Sequence, residues 1–265
     1  MRGVVRPAVF SGCRRRRTAR AGRTPVCVRV RPTTGGCRER PVPARLRAIR
    51  RRTAWVVFIV AVIATSVLVY PYAGLDIDDS RLDVRDSLHY YVLVGHIWTA
   101  AVALVLGSLQ FMPKVRARRR VHRALGRAYL LAGVLPSALA TITVALWSGR
   151  LVTQIGLTTA AVLWLLTGGL AYRAARERDF GSHRDWMMRN YALTFLAVTA
   201  RVLVPLLLVV QVPFRGAEAM GELANSMIPV GQTLGWVVNL IVAETVIRRR
   251  RAGYAWPVST RAGRS

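Results

Sequence analysis

The side chains able to do chemistry in this 265-residue chain are few, and they sit within or beside long apolar runs. His96 and Arg201 each interrupt such a run, about 10 Å and 13 Å from its outer end at 1.5 Å per residue. If both face the interior of one bundle, with Gln154 nearby at the start of a third run, they line a polar cavity suited to an anionic solute or lipid. Pro205 adds to it, because a proline offers no N–H to the carbonyl four residues earlier, which is that of Arg201. The plainer alternative has Arg201 snorkelling outward or pairing with the acids between Asp76 and Asp86, and His96 hydrogen-bonding a neighbouring helix.

His122 and His183 form a second constellation, each at the basic start of an apolar run. Two histidines from different helices can ligate one b-type haem from opposite faces, an arrangement similar in outline to cytochrome b561-like proteins. A second haem would need a histidine facing His96, and His89 cannot serve, since it shares one helix face with His96 at i to i+7. Arg123, Arg127, Arg184 and Arg189, rimmed by Tyr129, Tyr191 and Trp186, make a basic mouth that would bind an anionic headgroup, or that follows from topology alone. There is no phosphate loop, no nucleophile beside a base and no His-Glu-x-x-His, so the chain is not expected to be an enzyme of the soluble kind.

The elements that must position these residues follow from composition. Apolar residues make up 53% of the chain, yet 40 Lys and Arg against 12 Asp and Glu leave a net charge of +28. Both populations fit one molecule only if they are segregated along it. Six apolar spans do this: Ala54 to Tyr72, His89 to Met112, Leu125 to Trp147, Leu151 to Ala175, Trp186 to Val210 and Ser226 to Ile247. Each is long enough to cross a hydrocarbon layer of about 30 Å as a helix. Basic clusters precede the first span and follow the second, fourth and sixth, while Asp76, Asp78, Asp79, Asp83 and Asp86 occupy an opposite loop. The expectation is an all-α integral membrane bundle in the bacterial plasma membrane, both termini cytoplasmic, with residues 53–247 membrane-embedded. A soluble enzyme, a secreted disulfide scaffold and a disordered tail protein are excluded.

Residues 1–52 hold 17 arginines and one acid and are expected to be disordered; residues 248–265 read as a short basic cytoplasmic tail. No specific nucleic-acid binding is expected of that arginine-rich segment. Because 39 of the 40 basic residues are Arg, as a GC-rich coding sequence would give, translation starting near Val42 or Leu46 is the alternative. Cys13, Cys27 and Cys37 match neither a metal knuckle nor a disulfide framework. The first span is too long for a cleaved signal peptide and reads as a retained anchor. Gly231 and Gly235 form a Gly-x-x-x-Gly that packs within the bundle or against a second subunit.

An internal echo links the second and fourth spans: Gly107 to His122 and Gly168 to His183 are both 15 residues, and Phe111 and Tyr172 both precede their His by 11. Two hairpins of the same direction would make a four-helix core over residues 89–210. The stretches Gly107-Ser108-Leu109-Gln110-Phe111, His122 through Tyr129, His183 through Leu193 and Ala197 through Arg201 carry a resemblance. From His96 to Pro205 the chain resembles the bacterial membrane-protein family designated domain of unknown function 2306. The resemblance implies a multi-pass helical fold without biochemistry. The function expected is that of a small transporter or a ligand- or lipid-binding subunit; the alternative is a single-haem electron carrier using His122 and His183.

Overall fold

The computed structural model describes residues 44–74, 85–215 and 220–254. The acids Asp76 to Asp83 and all three cysteines lie outside the described residues, as does most of the arginine-rich segment. The described chain is helical, with no strand among the described residues. In chain order the helices are α1 (Ala44–Val69), α2 (Ser87–Gln110), α3 (Pro113–Ala117), α4 (Arg119–Ala128), α5 (Leu135–Trp147), α6 (Leu151–Arg176), α7 (Phe180–Thr194), α8 (Leu196–Arg215) and α9 (Met220–Tyr254). Five helical segments are long and apolar enough to cross a membrane, and α7 with α8, bent by 47°, make the sixth if counted as one span. α1 begins at Ala44, inside the segment expected to be disordered, and α9 runs on to Tyr254 through the expected tail.

Sequence chemistry sets the boundaries. Asp86 caps α2 by accepting from the His89 N–H at 2.7 Å, and Pro113 occupies the first turn of α3, where its missing N–H costs nothing. Asp179 caps α7 through the Ser182 N–H at 3.1 Å. Hydrogen bonding from Ser182 holds the Asp179 carboxyl below the usual carboxylate range, so this cap is lost only as pH falls through that lowered value. Between α6 and α7, Arg178 adopts a left-handed φ of 60°, while the Asp179 N–H closes on the Ala174 carbonyl at 3.0 Å. A side chain there is strained. Arg178→Gly is therefore expected to stabilise the fold by about 0.5–1 kcal/mol, seen as a higher melting temperature in detergent. An unchanged or lower value would contradict this.

Two departures from regular helix shape the bundle. Tyr129–Val134 is a single π-helical turn linking α4 to α5, closed by the Leu135 N–H on the Leu130 carbonyl, just ahead of Pro136. The wide turn absorbs one extra residue, which shifts helical phase by about 100°. In an unbroken α-helix Tyr129 and Ser137 would sit on different faces; with the extra residue absorbed, Tyr129, Ser137 and Thr141 lie within about 20° of one face. The second departure corrects the expectation of one continuous fifth span. Thr194 turns its hydroxyl back onto the Asn190 carbonyl at 3.1 Å, a bond that bends helices, and α8 leaves α7 at Phe195.

Packing follows from these bends. α2, the α4–α5 span, α6 and α7 enclose the core of Ala103, Leu104, Tyr129, Ala138, Trp164 and Tyr191. α1 lies against α2 and contributes the buried Ala61 to the core. α9 packs on α6, α7 and α8, against the fourth and fifth spans, with Ala243 and Ile247 buried. Small residues permit this. A Cβ on Gly231 would strike Val204, and one on Gly235 would meet Leu196 at 2.8 Å. Both glycines thus pack against α8 of the same chain, the within-bundle alternative.

Candidate functional site

Because α8 swings away from the core, a cavity of about 710 Å³ opens between α2, α5, α6, α8 and α9, with α1 at its side. His89 and His96 line it from one face of α2, as does Arg201 from α8. His96 and Arg201 are 105 positions apart in sequence and close enough for their charges to interact. His96 is held by α5. Its Nδ1 lies 3.0 Å from the Ser137 carbonyl, the Ser137 hydroxyl and the Thr141 hydroxyl. A carbonyl can only accept, so Nδ1 carries the proton and Nε2 is left as an acceptor. The phase shift at the π turn is what aims Ser137 and Thr141 at α2.

Arg201 does not snorkel outward. Its guanidinium doubles back one turn, donating to the Ala197 carbonyl at 3.0 Å, as helical side chains leaning toward the N-terminus do. Tyr72 also lines the cavity, within electrostatic range of Arg201. Gln154, expected to join this group, does not line the cavity: its amide donates to the Ser148 carbonyl at 2.5 Å, closing the turn before α6. Thr153, Arg85 and Arg150 line the mouth instead, and Trp164, Leu193 and Leu104 form the floor. Among the described residues no carboxylate lines the cavity.

At the opposite end the basic clusters that follow the second, fourth and sixth spans meet. His122 and His183 come together, ring centroids 6.5 Å apart and planes at 86°. The His183 Nδ1–H donates to the Ala171 carbonyl at 2.8 Å, which fixes Nε2 as its free nitrogen. Nδ1 of His122 is buried without a protein partner among the described residues. The four arginines expected to bind a headgroup are engaged in different ways. Arg123 and Arg127 bond back to carbonyls of their own helix. Arg189 pairs with Glu244 at 2.6 Å and stacks over Trp186, while the buried Nε of Arg184 has no partner among the described residues. Arg251 pairs with Asp185 at 2.8 Å, so charge pairing tethers α9 to α7 here.

Between the two ends lies a buried polar cluster that sequence reasoning missed. The Tyr129 hydroxyl donates to Asn190 Oδ1 at 2.5 Å and contacts Thr194 Oγ1 at 2.8 Å. The Trp164 indole N–H donates to Thr194 at 2.9 Å, and the Asn190 amide donates to the Trp164 carbonyl and to Thr167. Tyr129 and Tyr191 belong here, fully and almost fully buried, rather than to the basic mouth. The signal was present: a lone Asn and several Thr on otherwise apolar helices must find partners in a membrane. Gly107 makes room, since a Cβ there would lie 2.5 Å from the Tyr191 ring and 2.8 Å from Tyr129.

Such a bundle, its spans joined by buried hydrogen bonds and its charges gathered at the ends, defines a multi-pass integral membrane protein. The sequence model of the predicted membrane protein family DUF2306 matches residues 93–247, more than half of the chain, which belongs to that family. The match extends past the fifth span into α9, which packs on α6, α7 and α8. No curated protein and no solved structure matches the chain.

Proposed function

We propose that the chain is a ligand-binding subunit or small transporter of the bacterial plasma membrane, its basic end cytoplasmic and its cavity in the outer half taking an anionic solute or lipid. The supporting observation is that His96 and Arg201, from separate helices, line one cavity without a described carboxylate. An unpaired guanidinium at membrane depth is costly, and an anion offsets that cost. The test is the melting temperature of protein in neutral detergent with acetate, benzoate, dodecanoate or dodecyl phosphate added. At least one of these should raise it, and Arg201→Gln should bind that probe roughly 10–100-fold more weakly, as for loss of a charged hydrogen bond. Equal binding by the two proteins would sink the reading.

A second reading is favoured by the His122–His183 pair. The ring centroids stand 6.5 Å apart, within reach of one metal ion, and one Nδ1 is already tied to a carbonyl. His122 and His183 would hold a b-type haem, which would supply one-electron transfer. Protein produced with haem supplied should then give a reduced-minus-oxidised b-type band, absent in His122→Ala and His183→Ala. A flat spectrum ends this reading.

A further inference from the structure

The charged residues of the cavity gather toward its mouth. Tyr72, Arg85, His89 and Arg150 stand at helix ends, whereas Leu104, Trp164 and Leu193 come from the middle of the bundle. A small hydrophilic anion would leave that floor wet, while a ligand with an apolar body would cover it. The cavity wall also has a weak side. Among the described residues α1 packs on α2 and α8 packs chiefly on α9; α1 and α8 share no extensive packed interface, although both line the cavity. Arg201 stands at this slot. It is exposed, beside the exposed apolar Val202 and Leu206 of α8, across from a helix whose Ile59, Ile63 and Val67 are also exposed. A membrane would place lipid against those apolar faces. A guanidinium set among lipid-facing residues yet turned back along its helix is placed to meet an anion arriving from the bilayer.

Building on the anion-binding reading, we infer that the ligand is a single-chain amphiphilic anion that passes sideways from the bilayer between α1 and α8. Its headgroup meets Arg201, and its hydrocarbon chain lies over Leu104 and Trp164. A cavity of about 710 Å³ is of the size that encloses a small ligand. The carboxylate or phosphate of the head is the shared chemistry; dodecanoate and dodecyl phosphate tell the two apart.

The full chain in phosphatidylcholine nanodiscs is photolabelled with a fatty acid carrying a diazirine at its chain end. Adducts are expected on α2 and α6 around Leu104 and Trp164, reduced at least tenfold in Arg201→Gln. Excess dodecanoate or dodecyl phosphate should compete and acetate should not. Leu68→Trp, which narrows the slot from α1, should slow labelling at least tenfold without moving its site. Acetate competing as well as dodecanoate, in an Arg201-dependent way, would overturn the amphiphile inference and leave anion binding standing. Labelling at an unchanged rate in Leu68→Trp would overturn the sideways route. If no anion of any chain length competes, the anion-binding reading falls with both.

Discussion

Gly107→Leu is expected to abolish accumulation of folded protein in the membrane, and Gly107→Ala to lower its stability by about 2 kcal/mol. A Cβ at this position would sit 2.5 Å and 2.6 Å from two atoms of the Tyr191 ring and 2.8 Å from the Tyr129 ring. Neither ring can retreat cheaply. The Tyr191 hydroxyl is tied to the Leu104 carbonyl at 3.1 Å, and Tyr129 is tied to Asn190 and Thr194. Overpacking of a buried site costs about 1–3 kcal/mol, and this clash must also offset the roughly 1 kcal/mol that Ala gains over Gly in a helix. Gly95, on the same helix with open space around its Cβ direction, is the control. Gly95→Ala should leave stability unchanged or raise it by up to about 1 kcal/mol. Thermal melts in detergent would decide: a Gly107→Ala protein as stable as the parent would show that the tyrosines are not held as described.

Asn190→Leu should destabilise by about 2–3 kcal/mol, although leucine is close in volume and suits an apolar setting. Asn190 is fully buried and makes three hydrogen bonds, to Tyr129, Thr167 and the Trp164 carbonyl. Single interhelical bonds in membrane proteins average about 0.6 kcal/mol and reach about 1.7. Here three converge on one side chain, and removing it takes a hydrogen bond from each of Tyr129, Thr167 and the Trp164 carbonyl at a buried site. Tyr129→Phe should cost less, about 1 kcal/mol, because Asn190 keeps two of its bonds. Since the two residues share a bond, the double variant should be less destabilised than the sum of the singles, by at least about 0.5 kcal/mol. Strict additivity would mean that the cluster does not act as a unit.

The limits of sequence reading show in particular residues. The pairing of His122 with His183 followed from an echo in spacing, because helices of matched length starting at one end bring equivalent positions to one level. Depth alone placed His96 and Arg201 at similar levels, and both line one cavity. Gln154 was placed by the same argument and turns away, since depth says nothing of azimuth and the Ser148 carbonyl at a helix start offers a nearer partner. Tyr129 and Tyr191 suggested an interface belt by type, yet their rings fill the space opened by Gly107.

The sequence by itself determined the class of the molecule, its apolar spans and the gathering of basic residues between them. In hydrocarbon each backbone N–H and carbonyl must be satisfied within its own segment, so hydropathy and length settle which segments can cross. Tertiary structure alone decided the cavity. That cavity depends on a π turn that rotates Ser137 and Thr141 toward His96, and on a bend that carries Arg201 away from the core. At the bend Thr194 also meets Tyr129 and Trp164 across the bundle, contacts between distant residues that no local pattern of polarity records.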